Sequence, residues 1–145
     1  MLQMPFCQHP EPSLWTGGQP TLQDIPELVS LGIRTVIDLR APEESRPFPP
    51  EPTWAAHGIT YVALPVRGVP DLNVATAKEL EDAVARAEPG VLVHCASANR
   101  VGALFACGQV GLHAQGAEEA IVFGRARGLK QMEGLLRQMW GTPRP

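Results

Sequence analysis

Cys95 and Arg100 are the side chains with the most chemistry to offer, and only Ala96, Ser97, Ala98 and Asn99 separate them. The surrounding segment, VLVHCASANRVGAL (residues 91–104), reads as an apolar strand, His94, the cysteine, a loop of small residues and then a helix from Val101. A thiol at such a junction faces the first turn of a helix, where backbone N–H groups lack partners and the macrodipole is positive. That field favours thiolate over thiol and makes Cys95 a nucleophile at neutral pH. The N–H groups, with those of Ala96, Ser97, Ala98 and Asn99, form a concavity suited to an oxyanion. Arg100 adds a permanent planar cation with forked donors. Nucleophile and oxyanion cradle thus come from one short segment. His94 is expected to orient the loop through its ring, Ser97 to hydrogen-bond within the loop or to the sulfur, and Asn99 to fix the loop's shape.

Such a loop needs a sheet to hold it. Leu14–Thr16 reads as a short strand broken by Gly17-Gly18. In TLQDIPELVSLG (21–32), Thr21 and Asp24 resemble a capping box, the apolar residues follow helical spacing, and Gly32 ends the helix. IRTVIDL (33–39) and ITYVALPV (59–66) read as further strands, with a helical turn over 54–57 between them. Helices are predicted over 73–87, 101–110, 117–126 and 129–140. This alternation predicts one three-layer α/β domain over residues 1–145, built on a mostly parallel sheet of four or five strands, with 1–12 and 141–145 irregular. In such sheets the ligand site lies beyond the C-terminal ends of the strands. Asp38, Arg40, Arg67, Asp71 and the Cys95 loop all fall on that edge, so Asp38 and Arg40 are expected at the site mouth and Arg67 as an added anion contact.

The segment APEESRPFPPEPT (41–53) is too proline-rich for regular structure and suits a loop over the site, with Glu43 and Glu44 read as solvated charges. Arg125 and Arg127 are read as a solvated face, and Cys107 as core. At 44% hydrophobic and 19% charged, the chain has an ordinary globular composition. A net charge of −3 with no basic run gives no reason to expect a nucleic-acid or membrane partner. No apolar stretch reaches membrane-spanning length, and the N-terminus lacks the features of a signal peptide. Three cysteines without metal-like spacing fit a reduced, cytoplasmic protein with no metal and no cofactor.

The string His94-Cys95-Ala96-Ser97-Ala98-Asn99-Arg100 resembles the active-site loop of the cysteine-dependent phosphatases, of the protein tyrosine and dual-specificity types, and of rhodanese sulfurtransferases. It is most similar to bacterial proteins grouped with the phosphatase-like domain of beta-lactamase-hydrolase-like proteins, which carry His-Cys-x-Ser-Gly-x-Arg. Gly17-Gly18-Gln19-Pro20 and Asp38-Leu39-Arg40 also resemble turns of that family. The resemblance implies a dual-specificity-phosphatase-like fold and hydrolysis of a phosphomonoester, on a small molecule or a phosphoprotein, through a phosphocysteine at Cys95 with Arg100 on the phosphoryl oxygens. It places a general acid on the loop after the third strand, where Asp71 is the nearest carboxyl. Three departures stand out. The loop is one residue shorter than in ordinary tyrosine phosphatases, the usual loop glycine is Ala98, and the usual hydroxyl after the arginine is Val101. A persulfide-carrying sulfurtransferase and a non-catalytic anion-binding module are the alternative readings.

Overall fold

The computed structural model describes residues 1–141. Five short strands form its sheet: β1 (Gln8–Glu11), β2 (Leu14–Gly17), β3 (Thr35–Asp38), β4 (Thr60–Ala63) and β5 (Val91–His94). Their order is β1-β2-β5-β3-β4, with β1 antiparallel to β2 and every other pair parallel. All residues of β2, β3 and β5 are buried, as expected of central strands covered on both faces. The edge strands β1 and β4 are largely exposed.

Six α-helices cover the two faces: α1 (Ile25–Ser30), α2 (Pro50–Ala56), α3 (Val74–Arg86), α4 (Asn99–His113), α5 (Ala117–Arg125) and α6 (Met132–Met139). On one face Ile25 and Leu28 of α1 and Trp54 of α2 join Val36 and Leu92 of the sheet. On the other, α3 to α6 bury Leu80, Leu104, Ile121 and Leu136 with Ile37 and Val93. The odd and even residues of β3 and β5 thus feed opposite cores, which is what makes their sequences continuously apolar.

The three-layer α/β architecture predicted from the alternation is present. Its N-terminal edge differs from expectation, because residues 8–11 of the stretch read as irregular pair with β2 as a strand. The proline-rich segment also gives up its last residues to α2, which begins at Pro50. Proline lacks an N–H and is tolerated in the first helical turn. Of the tail expected to be irregular, Gly141 is in a turn and residues 142–145 lie outside the described residues.

Register explains how the sheet positions the site. Gly17, His94, Asp38 and Ala63 lie side by side as the last residues of four parallel strands. The residues that follow each of them therefore emerge along one edge.

Candidate active site

Cys95 follows β5 directly and is 1% exposed, at the floor of the loop. Its amide donates to the Gly17 carbonyl (3.2 Å), and Gln19 N donates to Ala96 O (3.1 Å), so the β2 exit clamps the loop's first half. A side chain at Gly18 would run into the Ala96 carbonyl at 2.6 Å, which explains a glycine at that approach. Asn99 fixes the second half: its Oδ1 accepts from Lys130 N (2.9 Å) and Met132 N (3.2 Å) at the start of α6. Asn99 therefore ties the loop to the chain at the start of α6.

Ala98 ends the loop in the left-handed region (φ 68°), the conformation that costs a Cβ-bearing residue about 1–2 kcal/mol. It is the N-cap of α4 and offers no side-chain acceptor, so the first N–H groups of a 15-residue helix receive no side-chain cap. That is the arrangement an anion would complete.

Arg100 turns inward. Its Nη1 donates to Glu44 Oε2 (2.7 Å) and to the Val66 carbonyl (2.9 Å), and its Nη2 donates to Glu44 Oε1 (2.8 Å). Neither partner engages Nε. The Glu44 carboxylate holds the guanidinium above its ordinary pKa, burial works against this, and the nearby Cys95 sulfur adds to it. Glu44 in turn is drawn down to about 2, chiefly by Arg100, with the Ala41 amide and Arg40 assisting. This corrects the reading of Glu44 as a solvated charge: it reaches from the proline-rich loop to the centre of the site. The sequence signal available was Arg40 and Glu44 at i, i+4, which do form an ion pair (3.1 Å). Arg40 also donates to Gln19 Oε1 (3.0 Å), and so joins the same cluster.

Asp38 is not at the site mouth. It is 1% exposed, and its carboxylate accepts from Arg40 N (2.8 Å), Arg46 Nε (2.9 Å) and the Tyr61 hydroxyl (2.7 Å). Burial and the Asp38 charge both raise the pKa of Tyr61. Asp38 thus ties the proline-rich loop to β3 and β4, a position its place as the last residue of a fully buried strand dictates. His94 is equally buried, and burial lowers its pKa. Its Nδ1 lies 3.2 Å from the Cys95 carbonyl, which can only accept, so Nδ1 carries the proton. Nε2 is left without a hydrogen-bond partner, 3.8 Å from Asp38 Oδ1. The ring thus lies against the Cys95 peptide.

Among the described residues, Arg67 and Asp71 make no hydrogen bond to Arg100, Glu44 or the Cys95 loop. Arg67 is exposed and spends its guanidinium on Glu43 (3.0 and 3.3 Å). Asp71 closes a short 3-10 turn (Val69–Asp71), and its Oδ2 accepts from Arg67 N (2.8 Å). Arg127, read as part of a solvated face, is 6% exposed: it pairs with Glu11 and lies on the Phe123 ring at 3.4 Å. Cys107 is buried as core, which pushes its thiol up to about 11.

The Cys95 thiol thus lies beside an inward arginine, at the start of a helix without a side-chain cap and on a six-residue loop, an arrangement that can hold an oxyanion next to the sulfur. Residues 5–135 match the family described as DSP-PTPase phosphatase fused to NAD+ kinase. The chain belongs to this phosphatase family. It is 31% identical over 101 residues to a beta-lactamase hydrolase-like protein of Agrobacterium fabrum; the match covers 66% of this chain and spans 23% of the length of that curated relative. Among solved structures, a candidate phosphatase from Neisseria meningitidis superposes with a TM-score of 0.73 at 21% identity, covering 90% of this chain and 96% of the other. The Siw14 catalytic core gives 0.69 at 18% identity, over 99% and 88% of the two chains. PTPMT1 gives 0.67 at 19% identity, over 92% of each. At these identities the superpositions establish a dual-specificity-phosphatase-like fold.

Proposed function

We propose that this protein is a phosphoric monoester hydrolase that works through a phosphocysteine on Cys95. The observation that carries this reading is the inward guanidinium of Arg100, fixed by Glu44 and Val66 beside a cysteine at an uncapped helix start. In the first step the Cys95 sulfur attacks phosphorus as the bond to the leaving oxygen breaks. Arg100 and the N–H groups of the loop from Ala96 to Asn99 hold the three remaining oxygens as charge grows on them. Asp71 supplies the proton to the leaving oxygen; the Arg67 amide engages only its Oδ2. In the second step a water attacks phosphorus, gives its proton back to Asp71, and the S–P bond breaks to restore the thiolate. Arg40 extends the positive field around the cradle, and Arg67, released from Glu43, would add to it.

The substrate class this supports is a phosphorylated small molecule or phosphoprotein. Among the described residues no helix is long and apolar enough to cross a membrane. The three free cysteines fit a reducing compartment, and we assign the cytoplasm on that ground. The test is turnover of para-nitrophenyl phosphate by wild type and Cys95→Ser, with thiosulfate and cyanide assayed in parallel. Phosphate release that Cys95→Ser abolishes is expected. Thiocyanate formation without phosphate release would replace the reading with sulfur transfer. Tight phosphate binding with no turnover of either substrate would reduce the protein to an anion-binding module.

A further inference from the structure

The phosphate loop has a second cation beside it that the reaction above does not use. Lys130 sits where the chain between α5 and α6 returns to the loop, its amide bound to Asn99 Oδ1 (2.9 Å). Its Nζ donates to the Gly128 carbonyl (2.7 Å) and lies 4.0 Å from the centre of the Phe6 ring. Gly128 itself touches the loop: a Cβ there would fall 2.5 Å from the Ala98 Cβ. Lys130 therefore meets the loop at Ala98 and Asn99.

Phe6 belongs to the N-terminal segment ahead of β1. It is 54% exposed and left-handed (φ 56°), an uncommon conformation for a bulky aromatic residue. Its neighbour Pro5 holds it in place, because the Pro5 carbonyl accepts from Gly18 N (2.8 Å) at the clamp on Ala96. A strained, exposed aromatic residue, anchored to the active-site loop and stacked under an ammonium, has no role in the core. Between Phe6, Cys7, Gly128 and Lys130 lies a cavity of about 170 Å³.

Around the Cys95 loop, Lys130 differs from the other cations in its pairing. Arg40 and Arg100 share Glu44, Arg67 has Glu43, Arg46 has Asp38, and Arg125, on the same cavity, has Glu133. Among the described residues Lys130 has no carboxylate partner. Burial lowers its pKa, and the Cys95 sulfur works against that shift.

We infer that Lys130, carried on the Phe6 ring, is a specificity-determining residue that binds a second anionic group of the substrate, next to the phosphate held at the Cys95 loop. The substrate class is then a phosphomonoester that carries a second phosphate close to the one that is cleaved. This rests on the Cys95 loop being the phosphate site.

The experiment compares inorganic phosphate with methylenebisphosphonate as competitive inhibitors of para-nitrophenyl phosphate hydrolysis, in wild type, Lys130→Met, Lys130→Arg and Phe6→Leu. Wild type should bind the bisphosphonate about tenfold more tightly than phosphate, the worth of one charge-assisted contact. Lys130→Met should lose that preference while phosphate inhibition and aryl phosphate turnover stay within about twofold; Lys130→Arg should keep it, and Phe6→Leu should weaken it. A wild type without the preference, or a Lys130→Met variant that weakens both inhibitors equally, overturns the inference. If aryl phosphate is not hydrolysed at all, the same two probes are titrated by calorimetry. A bisphosphonate preference that Lys130→Met removes then upholds the subsite although the hydrolase reading fails, and equal binding of the two probes overturns it.

Discussion

Glu44 decides how the Arg100 guanidinium is presented, and it does so from a loop that has no secondary structure of its own. Two charge-assisted bonds at 2.7 and 2.8 Å fix the plane of the fork, and the Ala41 amide (2.7 Å) fixes the carboxylate. Glu44→Gln keeps the size but forfeits the charge and one acceptor. The expected outcome is a fall of about tenfold in kcat/KM for an aryl phosphate, because a misplaced guanidinium loses oxyanion stabilisation. A rise instead would show that Glu44 competes with substrate for Arg100. Two departures from the family pattern also live at this scale. Ala98 adopts the left-handed conformation that glycine would take freely, and its methyl recovers part of the cost by being fully buried. Val101, where a hydroxyl is usual, is also fully buried, so that position offers the Cys95 loop no hydroxyl.

Between elements, the site depends on how closely α4 meets the chain between α5 and α6. Gly128 (φ 109°) lies against Ala98, and a Cβ there would also fall 2.6 Å from the Ala98 carbonyl. Gly102 of α4 is as tight: its Cβ would stand 2.1 Å from Leu129 N and 2.6 Å from Gly124 O. Gly128→Ala combines backbone strain with overpacking, and about 3 kcal/mol of lost stability is expected. Thermal or urea unfolding measures it, and phosphate affinity should fall with it, since the loop must move. Unchanged affinity in a folded variant would show that the loop does not lean on this contact. Much of this scale was legible beforehand. The strand–Cys–loop–Arg–helix order needs only adjacent residues, so the core of the site could be read from residues 91–104. Asp38 and Glu44 could not be placed that way. Asp38 looks like an exposed strand end until the register sets it beside His94, and Glu44 is 56 residues from Arg100. Lys130 and Phe6 are separated by most of the chain and share no local pattern.

Over the whole molecule, ion pairs within and between elements complement two apolar layers. Glu133 of α6 binds Arg125 (2.7 Å to each oxygen) and Arg137 (3.1 Å), and is drawn down to about 2, chiefly by Arg125. Glu44 is lowered to a similar value by Arg100. A carboxylate whose folded pKa lies below its unfolded value of about 4.3 stabilises the fold above that pH and loses the contribution as pH falls toward 2. Glu133→Gln is therefore expected to lower Tm by several degrees at pH 7, with the gap to wild type closing between about pH 4.5 and 2. A gap that persists at low pH would assign the loss to shape rather than charge. The four C-terminal strand ends in register, the two cores and these pairs all serve to set one sulfur under one guanidinium. Rapid-quench mass spectrometry during aryl phosphate turnover tests that most directly. The account predicts a transient phosphoryl group on the peptide carrying Cys95, absent in Cys95→Ser; phosphate release with that peptide unmodified throughout would contradict it.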